Sequence, residues 1–124
     1  MKNKILIIED ELSYLRLLRD QLTERGYTVI EATDGKEGLA TARLQHPDLI
    51  LLDIRMPVMN GMIMLDELRK DSYGKSAKVI ILTNIEPSDR ILKKVLVDLP
   101  TYYLIKSDIQ LAELMEKIQE LLVE

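Results

Sequence analysis

The sequence predicts a doubly wound α/β fold, a five-stranded parallel sheet in the order 2-1-3-4-5 with helices on both faces. Three observations carry this. Short apolar runs recur five times, each followed by a stretch of helical periodicity. Three of those runs, "ILII", "LILL" and "VIIL", are apolar without alternation, as strands covered on both faces must be. The chain has 124 residues, enough to bury a core of its own, so residues 1–124 are expected to form one domain.

Each element follows from its residues. "KILIIED" is rich in β-branched residues and ends in acids, a first strand. "ELSYLRLLRDQLTERG" carries leucines at 12, 15, 18 and 22, one helical stripe, and closes on Gly26. "YTVIEA" is a second, more polar strand that fits a sheet edge, and "DGKEGLATARLQH" is a helix stopped by Pro47. "DLILLD" is the third strand. "GMIMLDELRKD" is the next helix, and "SYGKSA" reads as a polar loop. "KVIILT" is the fourth strand, and "SDRILKKVLVD", residues 88–98, is a helix stopped near Pro100. "YYLIK" is the fifth strand. The last segment places Leu111, Leu114, Met115, Ile118, Leu121 and Leu122 on one stripe of a helix, with Ser107 or Asp108 expected as its cap. Crossovers of this length are right-handed. The connections then reverse direction between strands 1 and 3, and a ligand crevice is expected at the strands' C-terminal ends there.

Composition narrows the function. There is no cysteine, so disulfides and thiolate metal sites are excluded. No segment has signal-peptide or membrane-spanning form, and a cytoplasmic, membrane-free protein is expected. The net charge is −4 with both signs interspersed, which argues against a nucleic-acid surface. Phe and Trp are absent, which removes the usual stacking platforms for single strands.

The topology gathers chemistry at one rim. Glu9 and Asp10 end strand 1, Asp53 ends its neighbour strand 3, Thr83 ends strand 4 and Lys106 ends strand 5. Three carboxylates side by side repel unless a cation sits among them. Oxygen ligands without Cys or His suit a hard ion, Mg2+ more than Zn2+. With a hydroxyl and an ammonium on the same rim, this is a set for phosphoryl transfer, in which a carboxylate attacks phosphorus. Pro57 and Gly61 then shape the turn that brings the chain back. His46, before Pro47, is expected at a helix end or on the surface and not as a ligand. Met56, Met59, Met62 and Met64 are expected to serve as adaptable packing.

Over its whole length the sequence resembles the receiver domain of two-component response regulators, a flavodoxin-like fold. The resemblance rests on "IIEDE", "LLDIRMPVMNG", "IILT" and "YYLIK", in this order and each at a strand end. It implies that Asp53 accepts a phosphoryl group from a sensor histidine kinase or phosphotransfer protein. It implies Mg2+ held by Asp10, Glu9, Asp53 and the backbone carbonyl of Arg55, with Lys106 on the phosphoryl oxygens. Thr83 and Tyr103 become the switch pair. The output becomes a shift of the face formed by residues 88–98, the fifth strand and the last helix, read by an unknown downstream protein. A monomer or weak homodimer is expected, acting as a switch and not as an enzyme with a free substrate.

The chain departs from the family pattern in several places. Leu99-Pro100 replaces a Gly-Ala pair common before the fifth strand, and the spacing from Thr83 to Lys106 is about one residue longer than usual. Glu9 is a common variant of the first acid, and two departures lie beside the site. Ser107 stands where a proline after a cis bond is usual, so the Lys106–Ser107 bond is either trans with a rebuilt loop or strained cis. Asn84 stands where a small residue is usual, beside the phosphoryl site, where it would crowd the group or hydrogen-bond to it. Rival classes fare worse. A flavin carrier needs a hydroxyl- and Gly-rich phosphate loop where this chain has "EDELSY". A haloacid-dehalogenase-type phosphatase needs a second acid where this chain has Arg55. The serious alternative is a phosphorylation-independent pseudo-receiver that acts only as an interaction module.

Overall fold

The structure is a computed structural model that describes residues 3–56, 58–86, 88–91, 93 and 100–123. Five strands, β1 (Lys4–Ile8), β2 (Thr28–Ala32), β3 (Leu49–Leu52), β4 (Val79–Thr83) and β5 (Tyr102–Ile105), pair in parallel in the order β2-β1-β3-β4-β5. This is the predicted order. β1, β3 and β4 are buried almost without exception, while β2 at one edge keeps Thr28 and Glu31 exposed.

The pleat sends alternate residues to opposite faces. Leu6, Ile8, Ile50, Leu52, Val79 and Ile81 point to one side and meet α2 (Gly35–Gln45) and α3 (Gly61–Leu68). Ile5, Ile7, Leu49, Leu51, Ile80 and Leu82 point to the other and meet α1 (Leu12–Glu24) and α5 (Leu111–Leu122). The fifth helix carries that label because a one-turn helix, α4 (Ser72–Ser76), precedes β4. Thus both faces of the sheet are covered, and the runs "ILII" and "LILL" need no polar positions.

Several expectations are corrected. "SYGKSA" is not merely a loop, since it winds into α4. There Gly74 lies so close to the Leu68 carbonyl that a Cβ would meet its oxygen at 1.7 Å. The last helix begins at Leu111 behind Gln110 and has no side-chain cap. Ser107 and Asp108 do not cap it because the preceding turn consumes them. The Asp108 and Ile109 amides both donate to the Ile105 carbonyl, at 3.0 and 3.1 Å. Leu12 is 50% exposed, although Leu15, Leu18 and Leu22 are buried as expected. At about 100° per residue it falls at the margin of their stripe.

Asp34 caps α2 by accepting from the Glu37 amide, and Asn60 caps α3 by accepting from Ile63, two caps the sequence reading did not single out. The expectations for His46 and the methionines hold. His46 ends α2 in the left-handed region at φ 45° and stacks on Tyr73, with ring centroids 4.4 Å apart. Met62 and Met64 are buried, and Met56 and Met59 pack against the same core. The expected helix of residues 88–98 lies mostly outside the described residues, of which Asp89–Ile91 and Lys93 are helical. Pro57 also lies outside them. No described helix is long and apolar enough to cross a membrane.

Candidate functional site

The sheet ladder delivers the site residues. Beyond the last paired residues of β1 and β3, the Glu9 amide donates to the Ala32 carbonyl at 3.0 Å and the Asp53 amide to the Ile8 carbonyl at 3.1 Å. On the other side the Lys106 amide donates to the Thr83 carbonyl at 2.9 Å. Each residue is thus held by its backbone at the moment its strand ends, with the side chain entering the crevice.

The predicted acids converge. Glu9, Asp10 and Asp53 each bring a carboxylate oxygen within 4.8 Å of the others. Glu9 and Asp53 are buried, at 2% and 7% exposure, and Asp10 is exposed. The Lys106 ammonium reaches both buried acids. It donates to Glu9 Oε1, and to Asp53 Oδ2 at 3.1 Å. Its third neighbour is the ring of Tyr14, whose centroid is 4.6 Å away, a cation–π contact. Tyr14 was not legible as a site residue. It sits in the first turn of α1, within an ordinary helical pattern, and only the fold carries it over Lys106.

Burial dominates the electrostatics. Desolvation lifts the Glu9 carboxyl to about 7, further raised by the charge of Asp53, while hydrogen bonds from Lys106 and the Glu11 amide pull the other way. Burial alone would lower the Lys106 pKa, but its bonds and proximity to Glu9 and Asp53 outweigh that and raise it. Tyr14 and Tyr103 are raised, chiefly by burial. The pairing therefore fixes a charged lysine between two buried acids, with the exposed Asp10 at the cleft's edge.

The remaining predicted residues frame the same rim. Thr83 is buried, at 1% exposure, and its Oγ1 accepts from the Ile85 amide at 3.4 Å. The Tyr103 hydroxyl donates to the Ile85 carbonyl at 2.7 Å, and its ring packs on the core shared by α2 and α3. The Arg55 amide donates to Asp53 Oδ1 at 3.4 Å. Asn84 points its carboxamide oxygen at the Ser107 amide, 3.0 Å away. No described peptide bond is cis, so Lys106–Ser107 is trans.

Gly61 explains the sharp return after Asp53. A Cβ there would sit 2.2 Å from the Asp53 carbonyl oxygen and 2.9 Å from the Ile54 Cα. Instead the Gly61 amide donates to the Ile54 carbonyl at 2.8 Å, closing the loop.

A parallel sheet of this order, with paired acids, an end-strand aspartate and a lysine at its topological switch point, is the arrangement of a receiver domain of the flavodoxin-like fold. The chain belongs to the response regulator receiver domain family, which matches it over residues 5–119. It is 42% identical over 91 residues to the probable transcriptional regulator ycf27 of Cyanophora paradoxa, covering 73% of this chain and 37% of that protein. The match thus spans about a third of the length of such relatives. Among solved structures it is similar to the chemotaxis protein CheY4 of Vibrio cholerae, with TM-score 0.87 and 30% identity, covering 98% of this chain and 100% of that one. It is also similar to the response regulator TrrA of Thermotoga maritima, solved with Mg2+ and beryllofluoride. There the TM-score is 0.84 and the identity 34%, covering 98% of this chain and 100% of that one. The family is that of two-component signalling switches.

Proposed function

We propose that this chain is a phosphorylation-activated switch whose acceptor is Asp53, and that residues 1–124 act as one receiver unit. The observation that supports it best is the engagement of Lys106 with both Glu9 and Asp53 beside Asp10. A structural acid at a strand end needs no such company. In the proposed step an Asp53 carboxylate oxygen attacks phosphorus of a phosphohistidine on a sensor histidine kinase or phosphotransfer protein. The phosphorus–nitrogen bond breaks, its electron pair leaves with the histidine, and an acyl phosphate remains on Asp53.

The donor set fits a hard cation, since three oxygen ligands converge with no nitrogen or sulfur among them. Glu9, Asp10 and Asp53, with the Arg55 carbonyl, would hold Mg2+. The ion, when bound, neutralises charge on the transferring group. Lys106 already lies within reach of the Asp53 oxygen and stabilises the added negative charge. Thr83 turns its hydroxyl from the Ile85 amide toward the phosphoryl group, and Tyr103, bonded to the same loop, follows. The output is a population shift of the face that includes β5 and α5, toward an unidentified protein partner. The chain is consumed and reset, cytoplasmic, and monomeric or weakly dimeric. A pseudo-receiver has no reason to keep acceptor, acids and lysine converged.

The test is a titration with beryllofluoride and Mg2+ followed by amide NMR. Shifts at Thr83, Asn84 and Lys106, absent from Asp53→Asn, are expected. Unchanged spectra in the native chain would contradict the reading.

A further inference from the structure

Two of the departures from the family pattern, Asn84 and Ser107, meet in space. Asn84 directly follows Thr83, and Ser107 directly follows Lys106. The Ser107 amide donates to Asn84 Oδ1 at 3.0 Å. The β4–β5 ladder ends one step earlier, at the bond from the Lys106 amide to the Thr83 carbonyl. The side chain of Asn84 therefore adds a rung beyond the sheet, and its carbonyl takes the place of a backbone one. Each partner serves this bond only because of the other. A proline at 107 has no N–H to give, and an alanine or glycine at 84 has no side-chain acceptor.

We propose that Asn84 is a positioning residue. Through Ser107 it clasps the loop after Thr83 to the loop after Lys106, and so opposes the movement of the Thr83 hydroxyl toward a phosphoryl group on Asp53. This rests on the proposed switch function. Asn84 is thereby neither crowding the acceptor nor bonded to it in this state, because its carboxamide oxygen is turned to Ser107. The loop is pinned at two further points, the Ile85 amide on Thr83 Oγ1 at 3.4 Å and the Tyr103 hydroxyl on the Ile85 carbonyl at 2.7 Å. Thr83 cannot leave the Ile85 amide without disturbing this short segment, and the clasp adds to the resistance. Asn84 and Ser107 are both exposed. Water competes for their bond, so the clasp tunes the switch and does not lock it.

The experiment measures affinity for beryllofluoride at saturating Mg2+, and for Mg2+ alone, by titration calorimetry. It compares the native chain with Asn84→Ala, Ser107→Pro and the double variant. Asn84→Ala and Ser107→Pro are each expected to bind beryllofluoride about threefold more tightly, the order of one exposed hydrogen bond. The double variant is expected to bind no more tightly than either single, and Mg2+ affinity to be equal in all four. Unchanged affinity in Asn84→Ala would overturn the proposal, and that exposed substitution decides it should Ser107→Pro fail to fold. Opposite shifts in the two singles, or additive shifts in the double, would overturn it too, because Asn84 would then act on the ligand by itself. A native chain that binds Mg2+ but no beryllofluoride overturns the switch function itself, and the clasp with it.

Discussion

Lys106 holds together two buried carboxylates that would otherwise repel. Exposed ion pairs contribute little, but Lys106, Glu9 and Asp53 are all nearly excluded from water. There, removing one partner leaves an uncompensated charge, which is far more costly than an exposed pair is worth. The rim positions of these residues were legible because each ends an apolar run. Their partners across the rim were less so. Asn84 with Ser107, and Tyr14 over Lys106, are contacts between residues far apart in sequence, and no local pattern encodes them. Tyr73 offers a test of burial at this scale, remote from the acids. Burial raises its hydroxyl from 10 to about 12, and that hydroxyl donates to the Pro47 carbonyl at 2.7 Å. The unfolded chain ionises first, so Tyr73 stabilises fully below pH 10 and its contribution is lost as pH rises through about 12. Stability measured by urea melts is expected to fall over that range by about 2 kcal/mol more in the native chain than in Tyr73→Phe. Parallel curves would show that the burial does not act as described.

Among the elements, the turn from β3 into α3 is tightly constrained. The chain leaves Asp53, returns under its own carbonyl at Gly61 and enters α3 through the Asn60 cap. Val58, on that turn, is held at φ 67°, a costly conformation for a β-branched residue. Gly61→Ala is expected to cost about 2 kcal/mol or more, because the new methyl meets backbone that cannot step aside. A denaturant midpoint unchanged by this substitution would show the turn to be slack. Strands were legible as elements because burial on both faces leaves continuous apolar runs. Helix limits were not. α4 forms despite Gly74, since close packing on Leu68 overrides a poor helix propensity. α5 starts late because the turn after β5 takes the residues whose side chains suit a cap.

Across the whole molecule, two cores lie back to back, and the sheet between them carries the site at one end. The alternation of Leu6 and Ile8 against Ile5 and Ile7 ties each core to the strand register. A slip of one residue would bury the wrong set and misplace Glu9 and Asp53 together. Polarity made strand 2 an edge and strands 1, 3 and 4 the middle of the sheet, which the order 2-1-3-4-5 satisfies, but it does not by itself rank the three inner strands. The outcome is a sheet whose C-terminal edge gathers the charged residues of the site. The central claim is that Asp53 at this edge accepts a phosphoryl group. The most direct measurement is the intact mass of the protein after incubation with acetyl phosphate and Mg2+, beside Asp53→Asn and a sample held in EDTA. A gain of one phosphoryl group is expected in the native protein and none in either control. An equal gain in Asp53→Asn would contradict it, as would no gain in the native protein with acetyl phosphate or with any phosphohistidine donor.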